Sequence, residues 1–313
     1  GSILIGFFEF SPHWKFTIND NISCMQAILE TLRPKQWIKN LVIFAGLVFD
    51  GQLLNLQPFL RVLLATLIFC LVSGLTYTLN DLLDIKADRL HPQKKNRPIA
   101  SGRLSVQQAI LLAVILALIA FPAAFLLSIE FGWVCLTYTL LILAYSKWLK
   151  KVLILDVMII AFGFVLRVIA GVVVITVNYF SPWLFLITTL LAIFLGFGKR
   201  LSELKMLETH ASEHRNVLAG YSIPLLKDYI NIVLCATLIT YCLYTFSAHP
   251  AVNTYAMMLT IPFVLYGLFR YMYIIENSHL AAAPEEALLR DRPLQLVVLF
   301  WALAVIVIIY FIY

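Results

Sequence analysis

The chain has 313 residues, of which 62% are hydrophobic and only 13% charged, and its mean hydropathy is +0.91. A soluble domain of this size carries roughly a quarter charged residues, so the composition excludes an ordinary water-soluble fold and points to a polytopic membrane protein. The formal net charge is +6, and the placement of those charges decides which surface carries it.

Residues 1–32 read as a leader. Glu9, His13, Lys15 and Asp20 interrupt it and argue against a signal peptide there. Its end, ISCMQAILETL at 22–32, has the pattern of a short amphipathic helix lying on a membrane before Arg33-Pro34. Residues 33–313 read as one transmembrane domain. Nine apolar stretches fall at about 40–55, 59–80, 106–128, 131–149, 153–177, 182–199, 228–248, 252–274 and 294–313. Most approach the ~20 residues that a bilayer core requires. The first is short and carries Gly46 and Asp50. Lipid offers no partner for free backbone groups, so each span must be helical, and the predicted fold is all-α with nine transmembrane helices.

Nine spans put the loops at 33–39, 86–103, 147–151, 199–227 and 270–292 on one side. These loops hold 20 of the 23 Lys and Arg; Lys15 is in the leader, and Arg61 and Arg167 lie elsewhere. The positive-inside tendency places the basic loops and the N-terminus in the cytoplasm and the C-terminus outside. Such a surface suits anionic headgroups and phosphorylated substrates, and nucleic acid is not needed to explain it.

The most informative stretch is Asn80–Arg103, NDLLDIKADRLHPQKKNRPIASGR. On one continuous helix Asp81, Asp84 and Asp88 share a face. Carboxylates that close repel each other unless a cation sits among them. Mg²⁺ takes carboxylate oxygens and shares its remaining sites with substrate phosphates. Lys94 and Arg97 can hold the phosphate oxygens that the metal does not reach. The block reads as a metal–diphosphate site at a membrane surface. Asn80 either orients a carboxylate or a substrate hydroxyl, or simply caps the helix.

Further along, Tyr145, Lys147, Lys150 and Lys151 precede Asp156 and Arg167, which are eleven residues apart and so share a helix face. Arg167 lies inside an apolar span, where a charge is costly unless it faces a polar cavity. It either pairs with a carboxylate on a neighbouring helix or lines a cavity that receives an anionic substrate. Gly163 and Gly171 permit close helix approach. In GFGKRLSELKMLETHASEHR, Lys199 and Glu203 are spaced i, i+4. They form a surface ion pair, or Glu203 is a further metal carboxylate facing Asp81 and Asp84. Lys199 and Arg200 are candidates for phosphate contact. His210 and His214 lack a zinc-protease motif and read as a solvated face. Arg290 and Arg292 either anchor the interface or lie on a short helix that covers the site. Cys24, Cys70, Cys135, Cys235 and Cys242 show no CxxC spacing and read as free thiols. No internal repeat is visible, which weighs against a lipid-phosphate transporter or flippase.

These motifs resemble the UbiA superfamily of intramembrane prenyltransferases. The matching residues are NDxxDxxxD at Asn80–Asp88, HPxKxxRP at His91–Pro98 and YSxxLK at Tyr145–Lys150. The resemblance runs from Leu32 to Tyr313. It implies nine helices around a central cavity, a polar cap on the cytoplasmic side of a bacterial inner (plasma) membrane, and Mg²⁺ held by the aspartates against a diphosphate. Most members carry a second acidic motif of DxxxD type after the sixth span; here that stretch is KRLSE, Lys199–Glu203. With LRPKQWIKN at 32–40, GFVLR at 163–167 and LLRDRPLQL at 288–296, this form resembles the decaprenyl-phosphate phosphoribosyltransferase branch.

That branch implies Mg-dependent transfer of 5-phosphoribose from phosphoribosyl diphosphate to a polyprenyl phosphate. Asp81, Asp84 and Asp88 would hold the metal. Asn80, Lys35, Lys39, Lys94, Arg97, Tyr145, Lys147, Lys150, Asp156, Arg167, Lys199, Arg200 and Glu203 would surround the substrates. A diphosphate, a 5-phosphate and a lipid phosphate together form a heavy anionic load, which suits the added Lys and Arg. The alternative is transfer of a polyprenyl group from its diphosphate to an aromatic acceptor. A homo-oligomer is compatible with the sequence, because apolar outer faces are required for lipid contact in any case.

Overall fold

A computed structural model of the chain describes residues 24–91, 94–177, 182–209, 218–247, 255–277 and 284–312. Among these residues every regular element is helical. Among the described residues eight helices, where nine were expected, are long and apolar enough to cross a membrane. They are α1 (Leu56–Leu83), α2 (Val106–Leu127), α3 (Ile129–Lys147), α4 (Leu155–Val172), α5 (Pro182–Thr209), α6 (Ile223–Ser247), α7 (Ile261–Asn277) and α8 (Arg292–Val307). The 3-10 turn Ala256–Thr260 lengthens α7, and the π turn Ile308–Ile312 lengthens α8.

The expected first span is not one helix. Pro34–Phe44 is a 3-10 helix, continued by a short α-helix over Ala45–Phe49. At 2.0 and 1.5 Å per residue the two pieces reach roughly 30 Å, about the depth of a bilayer core. Their ends meet opposite ends of the bundle: Arg33 pairs with Asp81 near the end of α1, and Gln52 donates to the Thr176 carbonyl beyond α4 at 2.8 Å. A 3-10 run this long is uncommon. It packs backbone to backbone on α4, where a Cβ added to Gly171 would lie 1.8 Å from the Ile43 carbonyl oxygen. Gly171→Ala is therefore expected to force the two segments apart at a cost of about 3 kcal/mol, read as a lower melting temperature in detergent. Gly163→Ala, whose added Cβ meets nothing closer than 3.6 Å, is the tolerated control.

Local chemistry sets the helix ends. Ser105 and Gln108 form a capping box at the start of α2, and Ser128, the single extended residue between α2 and α3, caps α3. Asp291 caps α8 through the Leu294 N–H at 2.9 Å and accepts two hydrogen bonds from Arg270 of α7, at 3.1 and 2.8 Å. The Arg270 bonds hold the Asp291 carboxyl below the usual range.

Two cores meet at α4. Ile43, Phe69, Phe131, Tyr138 and Leu166 join the 34–49 segment to α1, α3 and α4. Val157 of α4 joins Phe194, Leu201, Ile230, Tyr271 and Val297 of α5–α8. Leu111, Ile115 and Leu118 of α2 and Leu299, Phe300 and Leu303 of α8 face outward, as contact with lipid tails allows. The described end of the leader, 24–32, is helical and docks through Ala27 on Ile99, Leu104 and Ala109, while Met25 and Leu29 stay exposed. Successive helices alternate in direction, so the ends of α1, α3, α5 and α7 share one side with the starts of α2, α4, α6 and α8. The basic loops lie on that side.

Candidate active site

The helix α1 stops at Leu83. Asp84 follows at φ −96°, ψ 7°, with its N–H on the Asn80 carbonyl at 3.0 Å, and a new helix runs over Ile85–Leu90. The three aspartates therefore do not share one continuous helix face, which corrects the sequence expectation. Asp81 and Asp88 are buried and Asp84 is half-buried. Each is met by a cation. Arg33 donates to Asp81 Oδ1 at 2.5 Å. Arg97 bridges Asp81 Oδ1 at 3.1 Å and Asp88 Oδ2 at 2.7 Å. Lys150 Nζ contacts both oxygens of Asp84, at 2.8 and 2.9 Å.

Two prolines help to aim the guanidinium groups. Arg97 is extended because Pro98 follows it and opens the helix Pro98–Ser101. Arg33 precedes Pro34 and adopts the left-handed conformation, φ 52°. Arg33 is not among the residues singled out from the sequence. Its signals there are its place in LRPKQWIKN and its position before a proline at the mouth of an apolar run.

A second buried cluster lies where α4 starts and α5 passes. Arg200, 2% exposed, donates through Nε to Asp156 Oδ2 at 2.7 Å and through Nη1 to Glu203 Oε2 at 2.5 Å. Tyr221 donates to the other Asp156 oxygen at 3.0 Å and accepts the Ile154 N–H at 2.8 Å. Burial pushes the Tyr221 phenol pKa up, so the hydroxyl stays protonated and keeps donating. Tyr145 of α3 lies near Arg200. Glu203 pairs with Arg200, where the sequence offered Lys199 as its partner, and Arg200 is engaged by two carboxylates of its own chain.

Arg167 and Asp156 share α4 but have separate partners. Arg167 donates to Asn40 Oδ1 at 2.9 Å, the Gly163 carbonyl at 2.9 Å and the Tyr138 hydroxyl at 2.8 Å. The rings of Tyr138, Phe164 and Phe69 surround its guanidinium at 4.8–5.5 Å. Its partners within the chain are neutral and aromatic, and the carboxylate that the sequence offered as one reading is not among them. Asn40 and Tyr138 were invisible as partners because they come from the 3-10 segment and α3.

The remaining candidates sit around these clusters. Lys39 donates to Gln36 Oε1 at 2.6 Å, Lys147 lies over the Trp148 ring at 4.6 Å, and the Lys94 N–H meets His91 Nδ1 at 3.3 Å. Lys35 is exposed, and Asn80 and Lys199 are half-buried. Arg290 pairs with Glu286 on the surface at 3.6 Å, and Arg292 is exposed at the start of α8. The His210–His214 pair lies outside the described residues. The five cysteines are free thiols. Among the described residues no three His, Cys, Asp or Glu side chains stand together as a ready-made metal site.

The sequence profile of the UbiA prenyltransferase family matches residues 41–290. A decaprenyl-phosphate phosphoribosyltransferase of Mycolicibacterium smegmatis is 32% identical over 88% of this chain and 90% of its own length. One of Corynebacterium glutamicum is 29% identical over 90% and 86%. Among solved structures, a UbiA homolog from Archaeoglobus fulgidus bound to GPP and Mg²⁺ superposes with a TM-score of 0.68 at 20% identity, covering 90% of this chain and 99% of that one. At that identity the superposition speaks for the fold. The profile spans most of the chain and includes the whole acidic block, so the chain belongs to the UbiA prenyltransferase family and is an integral-membrane transferase.

Proposed function

We propose that the chain transfers 5-phosphoribose from phosphoribosyl diphosphate to a polyprenyl phosphate and releases diphosphate, at the cytoplasmic face of a bacterial plasma membrane. One observation carries this reading: Asp81, Asp84 and Asp88 are interleaved with Arg33, Arg97 and Lys150 at one end of the bundle. Such a set offers both ligands for a divalent cation and donors for phosphate. The near full-length likeness to proteins named decaprenyl-phosphate phosphoribosyltransferase supports the choice of substrates.

The donor set fits Mg²⁺. Aspartate oxygens are hard ligands, and this ion needs only one or two carboxylates when substrate phosphates complete its shell. Bound at Asp81, Asp84 and Asp88, it would offset the charge that builds on the diphosphate as the C1–O bond breaks. Arg33, Arg97 and Lys150 neutralise the aspartates in the free chain, and they turn toward phosphate oxygens when the donor enters. Lys94 and Lys199 are candidates for the 5-phosphate and the lipid phosphate. Glu203, held by Arg200, and Asn80 are candidates for the ribose hydroxyls and for the positive charge developing at C1. An oxygen of the lipid phosphate bonds to C1 while the diphosphate departs with the bonding electron pair. The attacking phosphate is already ionised near neutral pH, so positioning supplies much of the rate and no strong base is needed.

The test is incubation of purified protein with Mg²⁺, polyprenyl phosphate and radiolabelled phosphoribosyl diphosphate. Label is expected in the lipid phase and is expected to disappear with a chelator. Transfer of a prenyl group from polyprenyl diphosphate to an aromatic acceptor, with no labelled lipid, would replace this reading with the prenyltransferase one.

A further inference from the structure

Among the described residues only Arg33 and Ile154 combine a side chain with positive φ. Ile154 sits at φ 67°, ψ −46°, and the Leu155 N–H bonds the Leu153 carbonyl across it at 2.7 Å. This is a γ-turn of the rare, strained kind, with a β-branched residue at its centre. Such strain persists only where the surroundings enforce it. The enforcing group comes from 67 residues away: the Tyr221 hydroxyl accepts the Ile154 N–H and donates to Asp156, which is 1% exposed and grips Arg200. The turn ends the short link between α3 and α4. Lys150 lies four residues before it on the same link and pairs with Asp84.

We propose that Tyr221 is a positioning residue whose hydroxyl locks the strained turn at Ile154 and so sets the reach of Lys150 to Asp84. The kinetic part of this inference rests on the function proposed above. A hydroxyl that merely satisfied Asp156 would give a defect indifferent to strain at Ile154.

Tyr221→Phe keeps the ring and removes only the hydroxyl. The KM for phosphoribosyl diphosphate is expected to rise roughly tenfold, with kcat within about threefold of wild type. Ile154→Gly removes the steric cost of positive φ and is expected to keep the wild-type KM. In the double variant the turn no longer needs holding, so the KM returns to within about threefold of wild type. A wild-type KM in Tyr221→Phe, or a double variant as impaired as Tyr221→Phe, overturns the lock. Hydrogen exchange over residues 149–155 provides an arm independent of the reaction. Exchange is expected to quicken roughly tenfold in Tyr221→Phe, and unchanged exchange overturns the proposal. If the wild-type protein does not use phosphoribosyl diphosphate, the proposed function falls while the exchange result still decides whether Tyr221 holds the turn.

Discussion

Asp84→Asn is expected to lower transfer by roughly 10³-fold or more while leaving the detergent melting temperature close to wild type. The separation follows from where Asp84 sits. Its partner is Lys150, and both side chains are about a quarter exposed. A pair that exposed contributes at most about 1 kcal/mol to stability, so its loss leaves the bundle intact. The asparagine keeps the size of the side chain but removes the charge that a metal–diphosphate complex requires. Asp81→Asn provides the contrast. Asp81 is buried beneath Arg33 and Arg97, and its replacement is expected to lower activity and thermal stability together. Turnover of Asp84→Asn within about threefold of wild type would remove Asp84 from the chemistry.

The acidic block could be read from the chain because its information is local: three carboxylates within eight positions, a basic tail, and apolar runs on both sides. The number of long helices was less accessible. An apolar run of sixteen residues looks the same whether it repeats every 3.0 or 3.6 residues, and the close packing of the Ile43 carbonyl on Gly171 joins positions far apart in the chain. Lys150 was visible as a cation near the site, yet its pairing with Asp84 depends on the link that Ile154 closes. Arg33 and Tyr221 escaped notice for a similar reason. Arg33 stands in LRPKQWIKN but outside the acidic block, Tyr221 belongs to no charged motif, and each acts on a residue dozens of positions distant. Arg167 announced itself as a buried charge, but composition could not reveal that amide, hydroxyl and carbonyl oxygens would receive it.

Arg200 is the residue whose expected role changes most, and Arg200→Ala separates the two readings. A guanidinium reserved for substrate phosphate would leave the fold indifferent to its loss and raise only the KM. The observed guanidinium lies between Asp156 and Glu203 and is 2% exposed. Its removal leaves the Asp156 carboxylate buried with Tyr221 but without its cation, and breaking a buried pair in this way costs about 3–5 kcal/mol. Arg200→Ala is therefore expected to lower the detergent melting temperature by roughly 10 °C. Adding Asp156→Asn removes the stranded charge, so the double variant is expected to melt higher than Arg200→Ala alone. That recovery is the decisive measurement, because loss of a substrate contact offers no reason for a second substitution to restore the fold. Wild-type stability in Arg200→Ala, with a raised KM for phosphoribosyl diphosphate, would return Arg200 to the binding surface. Glu203 connects the two outcomes, because it takes its position from Arg200. Losing the guanidinium is expected to lower kcat in whatever protein remains folded, through a carboxylate that no longer holds its place.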